Sequence, residues 1–375
     1  MVRVALIGQG YVATIFAWGL SKIKAGKLEP YGVPLGNLDL GIGISDLEIV
    51  GSIDVDEEKV GKSLYEVAKK YGLEPEPELR DIYVSPGLAL RSTPSFLKVK
   101  SLDSGRSLGD AYAKFEEWLD DVKPDVVIDV TSTVNSEPIP SWEEAEEKAF
   151  KGILPHSQVY AYLLLRRGNL AHVNLQPANV AGSPGFVKRA EQSRSLVLGD
   201  DGATGATPLT IDLAEHLKER NRKILSIAQF NIGGNTDFLA LMDPDRNDAK
   251  EKTKSSFLKD ILGYDPPHYI RPTGYLEPLG DKKFVSMHMQ WVSFGGFIDE
   301  LVVNMRINDS PALAGYIVDL ARLGFLAVKK GLYGTLPEVN RFYMKRPGPM
   351  GARHVSKIRA YYDLVAFAEE LKKKE

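Results

Sequence analysis

The sequence predicts an α/β fold: a doubly wound parallel sheet into which an α+β unit with an antiparallel sheet is inserted. Three observations carry this expectation. The chain opens with an apolar run from Val2 to Ile7, a glycine turn, and then apolar residues at helical spacing. Strand-like apolar runs then alternate with helical patterns to about residue 237, as a parallel sheet with crossover helices requires. Further on the period changes to two, in Val285, Met287, Met289 and Trp291 and again in Leu301, Val303, Met305 and Ile307. Alternation at that period marks strands with one buried face.

Composition narrows the class. The 375 residues, 43% hydrophobic and 26% charged, are ordinary for a soluble globular protein of about two domains. A net charge of −3 gives no reason to expect nucleic acid or an anionic membrane as partner. The chain has no cysteine, which excludes disulfides, thiolate metal sites and a cysteine nucleophile, and suits a reducing cytoplasm. The start, MVRVALIGQG, enters a strand directly, without the pattern of a signal peptide. No uninterrupted apolar run approaches the roughly 18 residues that span a bilayer. The expectation is a soluble, cytoplasmic protein.

The opening strand is followed by Gly8-Gln9-Gly10-Tyr11-Val12-Ala13, with Val12, Ile15, Phe16, Leu20 and Ile23 on one helical face. This is the Rossmann-type dinucleotide opening, with alanine in place of the last glycine. Gly8 allows the tight turn, Gly10 lets the backbone approach a pyrophosphate, and the helix N-terminus favours its charge. The second strand, Leu47 to Ile53, ends in Asp54, placed to accept hydrogen bonds from the adenosine ribose of NAD and to repel the extra phosphate of NADP. It comes 46 residues after Gly8, so residues 24–46, rich in Gly and Pro, form a surface loop that either folds over the cofactor or is a plain insertion. Helices are expected over Glu57 to Tyr71 and Leu108 to Leu119, and a buried strand over Val126 to Val130. Thr131 and Ser132 follow that strand at its carboxyl end, where cofactor contacts collect, though such residues also serve as caps. Long helices are expected over Ala312 to Lys330 and Val355 to Leu371.

Between Gly199 and Ser256 small residues, carboxylates, amides and lysines recur between short apolar runs: GDDGATGAT, then FNIGGNTDF, then DAKEKTKSS. The first block lies at a strand-to-helix turn, where backbone amides can hold a phosphate. Lys250 and Lys254 stand four apart, on one face if helical. Taken singly, a lysine run is most often a solvated face and Gly-Gly-Asn only a turn. Their ordered succession, joined by GDKKF at Gly280 to Phe284, NDSPALAGYIVDLAR from Asn308 and FYMKRPG from Phe342, resembles the myo-inositol-1-phosphate synthase family, in its shorter prokaryotic branch. The likeness weakens over residues 26–45 and 73–124.

That resemblance implies an NAD-binding domain from residues 1–206 and 311–375, and an inserted catalytic and tetramerisation domain over 207–310. It implies a homotetramer that converts glucose 6-phosphate to inositol 1-phosphate with no net redox change. NAD oxidises carbon 5, the ketone acidifies carbon 6, the enolate attacks carbon 1, and the same NADH reduces the cyclic ketone. Lys250 then stabilises an alkoxide or enolate, Lys254 and Lys283 hold phosphate or the carbon 1 oxygen, and Lys345 transfers the proton at the carbon 5 hydroxyl. Asp201, Asp237 and Asp309 orient lysines or the nicotinamide side, and Thr204 and Asn231 contact phosphate and sugar. Lys282 competes with Lys283 for its place. Tyr11-Val12 departs from the family's opening turn, which puts the geometry of pyrophosphate binding in question.

The six histidines are scattered, with no metal-ligand spacing and no Ser-His-Asp pattern. Lysines and carboxylates therefore carry the expected acid-base work. A divalent or monovalent cation at Asp200, Asp201 and Asp237 stays open beside simple ion pairing with lysines. Two other readings also stay open: an ordinary NAD-dependent dehydrogenase or a cyclase of another sugar phosphate, and an NAD-binding regulator without catalysis.

Overall fold

A computed structural model describes residues 1–90, 93, 97–242 and 257–374. Among these the strands gather into two sheets. The first holds β1 (Val2–Ile7), β2 (Leu47–Asp54), β3 (Val84–Pro86), β4 (Val126–Asp129), β5 (Ala171–Asn174) and β6 (Leu196–Leu198) in the order β3-β2-β1-β4-β5-β6. Every pairing in it is parallel. The order reverses between β1 and β4, and ligands of such sheets bind beyond the carboxyl ends of the strands at that point.

Period-two alternation divides β1 between two cores. Val4 and Leu6 face α1 (Tyr11–Lys24) and two helices from the end of the chain, α10 (Asp309–Lys329) and α12 (Lys357–Lys373). Ala5 and Ile7 face the other way, into a core with α3 (Leu108–Val122), α4 (Trp142–Phe150), α5 (His156–Arg167) and α6 (Pro184–Gln192). The result is the three-layered Rossmann-like arrangement. By length and composition α10 could cross a membrane, but Ile317, Leu320, Ala321 and Leu323 are all fully buried against the sheet.

The second sheet holds β7 (Lys223–Gly233), β8 (His268–Tyr275), β9 (Lys282–Val292) and β10 (Ile298–Asn308) in the order β10-β9-β7-β8. Val285, Met287, Met289 and Trp291 turn to its buried face. Most of that face is covered by α7 (Thr207–Glu219) and α9 (Phe257–Leu262), whose Ile211, Leu217, Phe257 and Ile261 complete the core. This sheet is mixed and not wholly antiparallel: β7 pairs with β9 antiparallel but with β8 parallel. The chain between β7 and β8 crosses back through α9, and a crossover of that kind delivers a parallel strand.

Two local expectations are also corrected. The helix expected from Glu57 is only α2 (Leu64–Lys70), started by a capping box between Ser63 and Glu66, because Gly61 at φ +93° interrupts the chain before it. Residues 24–46 are no surface loop, since Val33, Leu35 and Leu40 are buried in the first core. Their backbone is fastened to α10: Leu35 N donates to Asp319 at 2.8 Å and Arg322 donates to Leu35 O at 2.9 Å. Gly315 permits that approach, because a Cβ there would lie 2.1 Å from Gly32 O.

Candidate active site

The carboxyl ends of β1, β2, β4, β5 and β6 open onto a cavity of about 410 Å³. Gly8, Gly10, Tyr11, Val12, Asp54, Thr131, Ser132, Asp201, Thr204, Asp309 and Lys345 line it, so eleven residues singled out in the sequence meet there. At its β1 end Gly8 has φ +89°, and a Cβ on it would strike the backbone of Thr131 at 2.9 Å. Gly10 differs. It caps α1 with no side-chain hydrogen bond, and a Cβ there would meet nothing within 4 Å. A helix N-terminus with that open approach is an anion cradle of the kind a dinucleotide pyrophosphate fills. Gln9 is buried and stiffens the turn, donating to Thr14 at 3.1 Å and accepting from Ser52 at 2.6 Å.

The β2 end is acidic but partly neutralised. Asp54 Oδ1 accepts from Val55 N at 2.7 Å and Asp56 N at 2.8 Å. Lys59 lies 3.5 Å from Asp54 Oδ2 and 3.2 Å from Asp56 Oδ2. Burial works against the charge on Lys59, but the carboxylate of Asp54, with Tyr71 and Asp56, outweighs it and raises its pKa.

The β6 end is a lysine and carboxylate cluster. Lys345 Nζ donates to Asp201 Oδ1 at 3.1 Å, and both residues are almost fully buried. Lys283 Nζ donates to Asp309 Oδ2 at 3.1 Å. Burial would raise the Asp309 pKa, yet the Lys283 and Lys345 ammoniums and a bond from Thr204 hold the carboxyl well below its usual range. Gly205, at φ +74°, makes the room: a Cβ there would sit 2.6 Å from Lys283 Nζ. Lys283 also stands 5.6 Å above the ring of Phe238. Its neighbour Lys282 is exposed, so Lys283 is the one that reaches the cluster.

Other expected residues fall elsewhere. Asn231 is buried on β7, where it donates to Arg271 O at 3.0 Å, and is absent from the cavity lining. Lys250, Lys254 and the side chain of Asp237 lie outside the described residues. No group of three metal-ligating side chains occurs among the described residues. Asp200 is instead wrapped by Asn174 and by the amides of Val180, Ala181 and Gly182.

Sequence reasoning passed over several lining residues, including Lys59, His156, Gln176, Asn235 and Ser310. His156, at the start of α5, lies 2.9 Å from the Thr131 hydroxyl, which in turn donates to the buried Asp129 at 2.6 Å. The one available signal was placement, since each follows a strand end or opens a helix.

Residues 205–310 match the sequence family described as Myo-inositol-1-phosphate synthase. A myo-inositol-1-phosphate synthase-related protein from Thermotoga maritima, solved as a crystal structure, is 45% identical, with 98% of each chain covered and a TM-score of 0.92. The inositol-3-phosphate synthase of Corynebacterium glutamicum is 26% identical over 92% of this chain and 93% of its own length. That of Caenorhabditis elegans shares the fold, with a TM-score of 0.80 at 19% identity. The likeness to the Thermotoga protein runs the length of both chains, through the dinucleotide turn and the lysine-bearing sheet alike, and this chain belongs to the myo-inositol-1-phosphate synthase family.

Proposed function

We propose that the chain is an NAD-dependent inositol-3-phosphate synthase that cyclises D-glucose 6-phosphate to 1L-myo-inositol 1-phosphate. The observation that carries this reading is the meeting of Lys345, Asp201 and Asp309 with a dinucleotide cradle in one cavity, where Lys283 pairs with Asp309 from outside the lining. An ordinary hydride-transfer enzyme needs one proton acceptor. A redox-neutral cyclisation needs cations at more than one developing oxyanion.

The cradle suits NAD: the start of α1 at Gly10 to Val12 supplies amides for the pyrophosphate, and Asp54 accepts from the ribose hydroxyls. NAD bound there supplies a hydride acceptor that returns the hydride later in the same turnover. Lys345 Nζ, as the neutral amine, takes the proton of the carbon 5 hydroxyl, and Asp201 keeps the ammonium so formed oriented. Lys283 Nζ, held by Asp309, stabilises negative charge on a substrate oxygen. Thr204 adds a hydroxyl beside them. Lys250, Lys254 and Asp237 belong to the same reading by their place in the sequence.

A cyclase acting on another sugar phosphate is the second reading. It is favoured by Tyr11-Val12 in the opening turn and by the Thermotoga relative being described only as synthase-related. For assembly, we infer a homotetramer built on the second sheet, whose edge strand β10 exposes Ile298 and Val302 beside Phe294 and Phe297. Light scattering that reports a monomer contradicts this.

The functional test is incubation of purified protein with glucose 6-phosphate and NAD. Inositol phosphate without accumulated NADH supports the synthase. Accumulated NADH without a cyclic product points to a dehydrogenase, and neither signal defeats both.

A further inference from the structure

The segment that carries Lys345 is held from three directions, and one of the three is a histidine that the reaction above leaves unused. Main-chain bonds join Lys345 N to Asp201 O at 2.6 Å and Arg346 N to Asp200 O at 3.0 Å. Lys357, at the first turn of α12, donates to Met344 O at 2.8 Å. His354 supplies the third hold. Its Nε2 lies 2.7 Å from Lys345 O and its Nδ1 lies 2.8 Å from Asp260 Oδ2. The main-chain N of His354 donates to the same carboxylate oxygen at 3.0 Å.

Both ring contacts are with oxygens, so the ring bridges the Asp260 carboxylate to the main-chain carbonyl of Lys345. The side chain is only 8% exposed, so water competes little for either bond.

The placement joins two layers. Asp260 sits on α9, over the second sheet, whereas Lys345 lies in the cavity beyond the first. From α7, Glu215 and Asp212 accept from the main chain of Ser356 and Lys357, both at 2.6 Å, so that helix grips the same segment. Of the basic groups in this turn, Arg353 directly precedes the ring, and Lys357 from α12 is turned to the carbonyls of Arg341 and Met344.

We propose that His354, anchored by Asp260, is a positioning residue that fixes the main chain of Lys345 and so sets its side chain against Asp201 and Asp309. This rests on the synthase reading only in giving Lys345 a part in turnover. The orientation of Lys345 then depends on α9, so a change at Asp260 reaches the reacting oxygens through a residue that never meets substrate.

Two measurements test it. In protein labelled with 15N-histidine, the His354 ring, assigned by its loss in His354→Ala, shows ring-nitrogen signals that Asp260→Asn displaces; signals that Asp260→Asn leaves unmoved overturn the clamp, whether or not the wild type makes inositol phosphate. In the assay, His354→Ala lowers kcat by about 10- to 100-fold, the scale of a slight misplacement of a catalytic group, with KM for glucose 6-phosphate little changed. His354→Gln alone loses activity too, since its amide oxygen faces the Asp260 carboxylate. Combined with Asp260→Asn it regains most of that activity, because the new amide donates to the glutamine oxygen and restores the bridge. Unchanged kcat in His354→Ala, or a double variant no better than the worse single, overturns the proposal.

Discussion

The two ends of the cavity hold charge differently. At the β2 end Asp54 and Asp56 share a single ammonium, Lys59, and Asp54 rests chiefly on the amides of its own loop. At the β6 end each carboxylate meets its own lysine, across 144 positions for Asp201 and Lys345 and 26 for Asp309 and Lys283. The first end is a local structure that offers acceptors. The second is assembled from distant segments and offers cations. Under the proposed function, recognition falls to the first end and chemistry to the second.

Lys345 provides the largest test of this contrast. Lys345→Ala is expected to lose about 10²–10³-fold in kcat, as when a fixed donor to a developing oxyanion is removed. It also leaves Asp201 buried without its ammonium, a destabilisation of about 3–5 kcal/mol. Lys345→Gln keeps a donor for Asp201, so it should lose the activity while recovering much of the melting temperature. Near-normal turnover in either variant removes Lys345 from the chemistry.

Lys283→Met comes next, with an expected kcat loss of about 10- to 100-fold on the same argument. Its pH signature follows from Asp309. A carboxyl held below its ordinary value stabilises the fold fully above the unfolded value, about 3.9, and that contribution is lost as pH falls through the lowered one. Without Lys283 the folded-state value moves up toward the unfolded one, so the stability that this group loses on acidification should shrink. Acid-unfolding curves that superimpose for the two proteins contradict the pairing.

At the recognition end the effect is smaller and of another kind. Asp54→Ala should weaken NAD binding by about tenfold, the worth of a hydrogen bond to a charged acceptor, with kcat at saturating cofactor little changed. Unchanged affinity in calorimetry defeats the ribose assignment. A last effect, on stability alone, is expected at Lys357, whose pKa burial lowers to about 7. The unfolded chain then binds more protons than the folded one between about pH 7 and the ordinary lysine value near 10.4, so this group makes stability rise with pH across that window. Lys357→Met should flatten that rise in melting temperature, and an unaltered slope contradicts the assignment.

The same contrast explains what the sequence made legible. The β1 turn, Asp54 and the alternation along β9 are local patterns, so their periods and spacings survive translation into structure. Lys283 and Lys345 are one lysine each among many, and composition alone gives neither a partner. Only motif neighbours marked them, and the geometry then supplied Asp309 and Asp201. Lys59 was passed over because a cation beside the ribose acid runs against the ordinary pattern. His354 was passed over because a histidine bonded to a main-chain carbonyl has no sequence signature. The parallel β7–β8 pairing was missed because alternation reports a buried face and not strand direction, and the fastening of residues 24–46 because Gly and Pro conceal the buried Val33, Leu35 and Leu40.

The most direct test of the central claim, a closed redox cycle run by the lysine cluster beside the dinucleotide cradle, is to follow deuterium placed at carbon 5 of glucose 6-phosphate. Inositol phosphate is expected to keep the deuterium on the corresponding ring carbon while no reduced cofactor accumulates. Deuterium found in released NADH, or exchanged into solvent, contradicts it.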